Sequence, residues 1–168
     1  MNWYILFSLT QKSEKLVKQL NTKKDIYAFI PQMEYYRRDI KDNALKPLFP
    51  GYVFVRSKLN QNDFDLLLMN MNEEKDGLIK QLKYRDTNAL REDEIVLLRK
   101  LLDDQYILRM SQANLDNHNK AVIYTGPLKH FEKNIIKVDK HNKMAYLDIK
   151  FLDRYIQAGL SIKAKYEI

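Results

Sequence analysis

Apolar positions in the first 105 residues follow two different periods. Runs rich in aromatic and β-branched residues predict strands, and they cover 3–9, 26–36, 52–56 and a weaker stretch from 78. Apolar residues three and four positions apart share one face and predict helices. Three such segments begin near Ser13, near Asn62 and at 91, with the two named residues as expected caps. This mixture predicts an α+β domain over residues 1–105.

The pattern changes in the second part of the chain. Residues 106–119 are polar, lack a sustained period and are interpreted as a linker. Short strands are predicted beyond it, at 121–124, 135–138, 144–151 and 160–164. Apolar and polar residues alternate along 144–151, which is typical of a strand with one buried face. Several short strands within residues 120–168 predict a small β-barrel.

Two interruptions are expected in the first domain. Pro31 lies inside the run 26–36 and suggests an edge strand or a bulge, since proline cannot donate to a sheet ladder. Residues 37–43 are polar and predict a loop.

The strand at 52–56 is apolar on both faces. Side chains alternate along a strand, so Tyr52 and Phe54 share one face while Val53 and Val55 share the other. The rings could be ordinary core beneath the helices, which would leave the valines exposed. Alternatively the helices cover the valines and leave an aromatic face open to a partner, as contiguous exposed apolar patches often are. The pattern alone does not decide between these interpretations.

Charge favours a polyanionic partner. The 168 residues carry a formal net charge of +7, and this balance is typical of nucleic-acid-binding proteins. Residues 115–168 contribute +4 and residues 1–114 contribute +3, so the second domain is the denser basic element. The chain has no cysteine, which excludes disulfides and fits a reducing cytosol. No apolar run approaches the ~20 residues of a membrane span, so we expect a cytoplasmic protein without a membrane partner.

Catalytic chemistry has no visible basis in the sequence. The three histidines lack the spacing of a metal site, and the four glycines form no phosphate-binding loop. The serines lie in no nucleophile-elbow pattern. We therefore predict a protein that is not an enzyme, with no catalytic residue, no metal site and no cofactor.

Several motifs resemble the NusG family of transcription elongation factors. They are NWYILFSLTQKSEKLVKQL at the start, KPLFPGYVFVR at 46–56 and YTGPLKHFEKNIIKVDKHNKMAYLDIKF at 124–151. The resemblance implies an N-terminal NGN domain, an antiparallel sheet with helices, followed by a linker and an SH3-like KOW barrel. The segment from Gly126 to Ala145 is most similar to LoaP, and LoaP- and RfaH-type paralogs are antiterminators recruited to particular operons, the LoaP type by a leader RNA hairpin. His130 replaces a glycine of the KOW pattern.

The resemblance also implies partners and sites. Such proteins dock an aromatic sheet face on the β′ clamp helices of RNA polymerase; the matching residues are Phe7, Tyr52, Phe54 and, on the fourth strand, Leu82 or Tyr84. RNA or non-template DNA is expected to contact basic residues of both domains: Lys12, Lys15, Arg37, Arg38, Lys46, Lys129, His130, Lys133, Lys140, His141 and Lys143. The expected state is a monomer. Two other interpretations stay open, a housekeeping factor that couples polymerase to a ribosomal protein and a freestanding RNA-binding module.

Overall fold

The structure is a computed structural model that describes residues 1–83 and 90–163. Within these ranges the strands are β1 (Asn2–Ser8), β2 (Ile26–Phe29), β3 (Gln32–Arg37), β4 (Asp42–Pro47), β5 (Tyr52–Ser57), β6 (Leu78–Leu82), β7 (Ile107–Leu108), β8 (Ser111–Leu115), β9 (Ala121–Thr125), β10 (Ile135–Asp139), β11 (Met144–Phe151) and β12 (Arg154–Ile162). The α-helices are α1 (Ser13–Leu20), α2 (Gln61–Asn70) and α3 (Glu92–Leu101). The predicted mixture of helices and strands is confirmed.

The chain divides into two compact units. The first unit consists of Met1–Pro31 and Pro47–Ile95, and the second of Gln32–Lys46 and Val96–Ile168. The hairpin of β3 and β4 therefore belongs to the second unit, although it lies early in the sequence. The functional domains 1–105 and 120–168 stay a prediction from sequence.

The first unit is built on an antiparallel sheet with the strand order β2-β5-β1-β6. One face of this sheet packs against α1 and α2. Val53 and Val55 lie in that core with Leu16 of α1 and Phe64 of α2, all with no exposed surface. The helices thus cover the valine face of β5, as the second of the two sequence interpretations expects.

The predicted capping residues of α1 and α2 are wrong. Asn60, rather than Asn62, caps α2, because its side-chain oxygen accepts a hydrogen bond of 2.8 Å from the amide of Asp63. Ser13 is no cap: its hydroxyl is buried and lies 2.7 Å from that of Ser8. Both segments are nevertheless helical, because their apolar spacing matches the core beneath them.

Two predictions around Pro31 need correction. The predicted single strand 26–36 is broken into β2 and β3, and the Pro31 carbonyl accepts a hydrogen bond from the amide of Leu48 at 2.9 Å. The predicted polar loop 37–43 gives way to β4 from Asp42 onward. β4 is the outer strand of the sheet β4-β3-β7 and is largely exposed, so it lacks an apolar period that could be recognised.

The second unit holds a five-stranded sheet in the order β10-β11-β12-β8-β9. Its core includes Ala145, Leu147 and Phe151, which confirms the predicted inward face of 144–151. Of the last predicted strand, 160–164, residues 160–162 form the end of the longer β12, and position 164 lies outside the described residues. Closure of this sheet into an SH3-like barrel stays a prediction.

The segment 106–119, interpreted as a linker, contains β7 and β8. β8 pairs in parallel with β12, and β7 pairs in parallel with β3. Its apolar content is low because Ser111 and Ala113 supply the buried side of β8. None of the helices in the described ranges is both long enough and apolar enough to cross a membrane.

Candidate docking and nucleic-acid surfaces

Sheet register brings the predicted polymerase-binding residues to one face. Phe7 lies opposite Tyr52 and Ile5 lies opposite Phe54 between β1 and β5. Leu82 of β6 lies opposite Ile5 on the other side of β1. Directly opposed residues point to the same side of a sheet. The four predicted residues therefore share the face that α1 and α2 do not cover.

Most of this aromatic face is nevertheless buried. Phe54 has no exposed surface, and its ring centroid lies 5.8 Å from that of Phe29 and 6.1 Å from that of Phe49. Trp3, which meets Phe29 edge-on at 5.9 Å, is also buried. The expectation that Phe54 lies open for docking is therefore wrong, because neighbouring rings of its own unit pack on it.

The turn Phe49-Pro50-Gly51 explains why the Phe49 ring packs on Phe54. The amide of Tyr52 donates to the carbonyl of Phe49 at 3.1 Å, and the amide of Ser8 donates to that of Gly51 at 2.8 Å. Gly51 has a φ of +88°, a conformation that L side chains rarely adopt. The tight turn fixes Phe49, whose exposed fraction is 1%, beside the sheet.

One edge of the aromatic face remains accessible. The rings of Phe7 and Tyr52 lie 5.0 Å apart, and both side chains are half-buried, as is Leu82. Tyr27 on β2 is 49% exposed and was not among the predicted residues. Its signal was its place in the run IYAF, where it shares a face with Phe29. Tyr84 lies outside the described residues.

Of the predicted cations in the first unit, Lys12 is already paired. Its ammonium lies 2.9 Å from a carboxylate oxygen of Asp76, and that of Lys15 lies 4.0 Å from the same atom. The hydrogen bond from Lys12 lowers the pKa of Asp76. Lys15 is the more exposed of the two and the better placed to reach a phosphate.

Three cations predicted for the first domain lie on the hairpin of the second unit. Arg37 donates to the carboxylate of Asp39 at 3.1 Å, which lowers the pKa of that carboxyl. Arg38 is exposed. The ammonium of Lys46 lies 4.3 Å from the ring centroid of Tyr35, within the range of a cation–π contact.

The remaining predicted cations follow two loops of the second unit. Lys129, His130 and Lys133 are exposed on short 3-10 helices between β9 and β10. Lys140 and His141 are exposed in the turn between β10 and β11. In that turn Asp139 accepts hydrogen bonds from the amide and side chain of Asn142, at 3.0 and 2.8 Å, which lower its pKa.

Lys143, the last predicted cation, is half-buried, and its ammonium lies 4.0 Å from the ring centroid of Tyr36. Two similar lysine–tyrosine pairs, on β10 to β12, were missed by sequence reasoning. Among the described residues no group of three or more histidine, aspartate or glutamate side chains could hold a metal ion.

Comparison with known proteins places this chain in a family. The model of the NusG family, described as transcription termination factor nusG, matches residues 1–98, which is more than half of the chain. The chain belongs to the NusG family of transcription factors. Among solved structures it is similar to one described as "Domain interaction in Thermotoga maritima NusG", with 14% identity, coverage of 95% of this chain and 93% of that one, and a TM-score of 0.47. No curated protein sequence matches.

Proposed function

We propose that this protein is a specialised elongation factor of the LoaP or RfaH kind, an antiterminator. The first unit would bind the β′ clamp helices of RNA polymerase, and the basic second unit, with its predicted KOW-like barrel, would bind RNA. The observation that carries the polymerase contact is the half-buried ring pair of Phe7 and Tyr52 at the accessible edge of the aromatic face. Bridging the clamp would disfavour the open, paused form of the enzyme.

The accessible edge is large enough to contribute useful affinity. Full burial of one such side chain is worth roughly 1.5–3 kcal/mol. Phe7, Tyr52 and Leu82 are already half-buried, so each would supply only part of that amount. A micromolar interface needs about 8 kcal/mol after ordering costs. The edge therefore acts as an anchor, and other contacts must complete the interface.

Binding to isolated clamp helices tests the polymerase contact. Tyr52→Ala in the full-length protein should weaken binding about tenfold, since truncation of an aromatic hot-spot residue typically costs more than 1 kcal/mol. Tyr124→Ala is the matched control, because Tyr124 is a 44% exposed tyrosine of the second unit. Equal affinity of Tyr52→Ala and wild type would contradict the proposal.

The direction of the effect on transcription needs a separate measurement. In a reconstituted assay across a terminator, the protein should increase readthrough when the transcript carries the cognate leader RNA. Increased termination would instead agree with the family's description as a termination factor and contradict antitermination. Capture of a ribosomal protein by the second unit, with no dependence on leader RNA, would favour the housekeeping interpretation.

A further inference from the structure

The outward face of β10, β11 and β12 carries an arrangement that the proposed function does not use. Alternation on β11 buries Leu147 and Phe151, so Tyr146 and Lys150 point away from the core. On β12, Ile156 is buried and the neighbouring Tyr155 is exposed. The face is therefore a polar sheet surface that displays aromatic rings.

Each of its two tyrosines has a lysine directly across the strand pair. Lys137 on β10 lies opposite Tyr146, with its ammonium 5.3 Å from the ring centroid. Lys150 on β11 lies opposite Tyr155, with its ammonium 5.2 Å from the centroid. Tyr155 is 55% exposed and Tyr146 is half-buried. Sheet register thus fixes two rings, each with a lysine ammonium over it.

We propose that these four residues, the lysine–tyrosine face (Lys137, Tyr146, Lys150 and Tyr155), form a stacking platform for unpaired bases of single-stranded RNA. The inference deepens the RNA-binding part of the proposed function and rests on it. Tyrosine rings on a sheet stack bases without regard to sequence, and flanking cations hold the backbone phosphates. The rigid strands would present both rings to neighbouring bases of one strand.

The charges favour RNA over a protein partner. Lysine is depleted in protein–protein interfaces, whereas here one lysine lies over each of the two rings. The one carboxylate on this outward side of β11, Asp148, accepts a hydrogen bond of 3.0 Å from the side chain of Asn134. Lys137 also lines an open groove together with Lys120 and Glu132, and the Glu132 carboxylate accepts a hydrogen bond from the amide of Ile123.

A titration of the full-length protein against labelled single-stranded oligouridylate of about 12 nucleotides tests the platform. This length lies within the roughly 4–16 nucleotides that a single OB fold, another small β-barrel, covers. Tyr155→Ala should raise the Kd about tenfold, and Tyr146→Ala with Tyr155→Ala about a hundredfold. Tyr155→Phe keeps the ring and should bind within about twofold of wild type. Tyr124→Ala is the matched control and should also leave the Kd unchanged.

Salt dependence separates the lysines from the rings. Lys150→Ala should reduce the slope of log K against log salt by about one, because one phosphate contact is lost. Tyr155→Ala should leave that slope unchanged while lowering affinity at every salt concentration.

Three results would overturn the platform: wild-type affinity of Tyr155→Ala, equal loss for Tyr155→Phe and Tyr155→Ala, or failure of the wild type to bind the oligonucleotide. The last is the result expected if the face binds a protein. The titration contains no polymerase, so it stands apart from the clamp-helix assay. Tyr155→Ala should bind clamp helices normally, and Tyr52→Ala should bind the oligonucleotide normally, so each proposal can fail alone.

Discussion

The four-stranded sheet of the first unit and the five-stranded sheet of the second unit both carry aromatic rings on a face that could bind a partner, but the rings differ in exposure. In the first unit Phe54 contacts Phe29 and Phe49 and is fully buried. In the second unit Tyr155 contacts Lys150 and is more than half exposed. A ring enclosed by other rings, as Phe54 is, becomes core, whereas a ring at the rim of the cluster or beside a lysine, such as Tyr27 or Tyr155, stays at the surface.

The difference has a simple physical origin. Rings that meet rings bury apolar area on both sides, and such pairs are stabilised beyond that burial by their edge and face geometry. A lysine packs its methylenes on a ring but keeps its ammonium in water, so the ring beneath it stays near the surface. Aromatic content alone therefore overestimates how much of a sheet face is open.

The most direct test of this comparison measures the free energy of unfolding of two variants on β5. Phe54→Ala should reduce the free energy of unfolding by about 3–5 kcal/mol, the usual cost of removing a fully buried phenylalanine. Tyr52→Ala, two residues away on the same face, should cost much less because Tyr52 is only half-buried. Urea unfolding of both variants gives the comparison.

The same experiment decides how the aromatic face can be probed. A double change of Tyr52 and Phe54 to alanine, which the resemblance suggests as a binding test, is not expected to leave the fold intact. Tyr155→Ala serves as the exposed control and should change stability by less than about 0.5 kcal/mol. A near-neutral Phe54→Ala would show that this ring is not core.

Much of the fold could be read from the sequence because its elements have strong periods. The core strands β1, β5 and β11 and the α-helices α1, α2 and α3 follow from apolar spacing. β4, β7 and β8 could not be predicted, since their pairing partners lie far away in the chain and their exposed positions carry no period. Long-range pairing supplies what local propensity lacks.

In the candidate surfaces, too, some features follow from the local sequence and others depend on distant residues. Alternation placed Tyr52 and Phe54 on one face, but no local rule shows that Phe49 folds onto Phe54. Alternation on β11 pointed Tyr146 outward, whereas its pairing with Lys137 depends on the register with β10. The face of a strand on which a side chain lies thus follows from the local sequence. Which residues pack over that side chain, and which residue it pairs with, depend on distant parts of the chain.

The two units can also be compared in their backbone, at one glycine with positive φ in each unit. An added Cβ at Gly126, with φ +104°, would lie 2.5 Å from the Cα of the buried Ser111. An added Cβ at Gly51, with φ +88°, would lie 3.1 Å from the Phe7 ring and the Ser8 carbonyl. Gly126→Ala should therefore destabilise by about 2–3 kcal/mol, and Gly51→Ala by about 1–2 kcal/mol.

Thermal unfolding of the two variants measures this difference. The site at Gly126 has little freedom to adjust, since Ser111 also accepts a hydrogen bond of 2.9 Å from the amide of Leu128. Gly51→Ala should additionally weaken clamp-helix binding, because it displaces Phe7 at the accessible edge. Equal destabilisation by both substitutions would mean that φ alone sets the cost.

The smallest expected effect concerns Asp103, which organises the start of β7. Its carboxylate accepts hydrogen bonds of 2.9 Å from the amides of Gln105 and Ile107 and of 2.8 Å from Arg109. Partial burial acts to raise the pKa of Asp103, but the bonds from Arg109 and the two amides outweigh it and hold the pKa below its ordinary value. A lowered carboxyl pKa stabilises the fold above the ordinary pKa, and this contribution disappears as pH falls through the folded pKa.

Asp103→Asn should therefore cost about 1 kcal/mol at pH 7, a figure reduced for the partial exposure of the site. The gap between variant and wild type should close on acidification from about pH 5 to about pH 2. Urea midpoints across this range measure it, with Asp104→Asn as the neighbouring control, since Asp104 is exposed. A gap that stays constant with pH would show that hydrogen-bond geometry, and not the charge of Asp103, supports this part of the second unit.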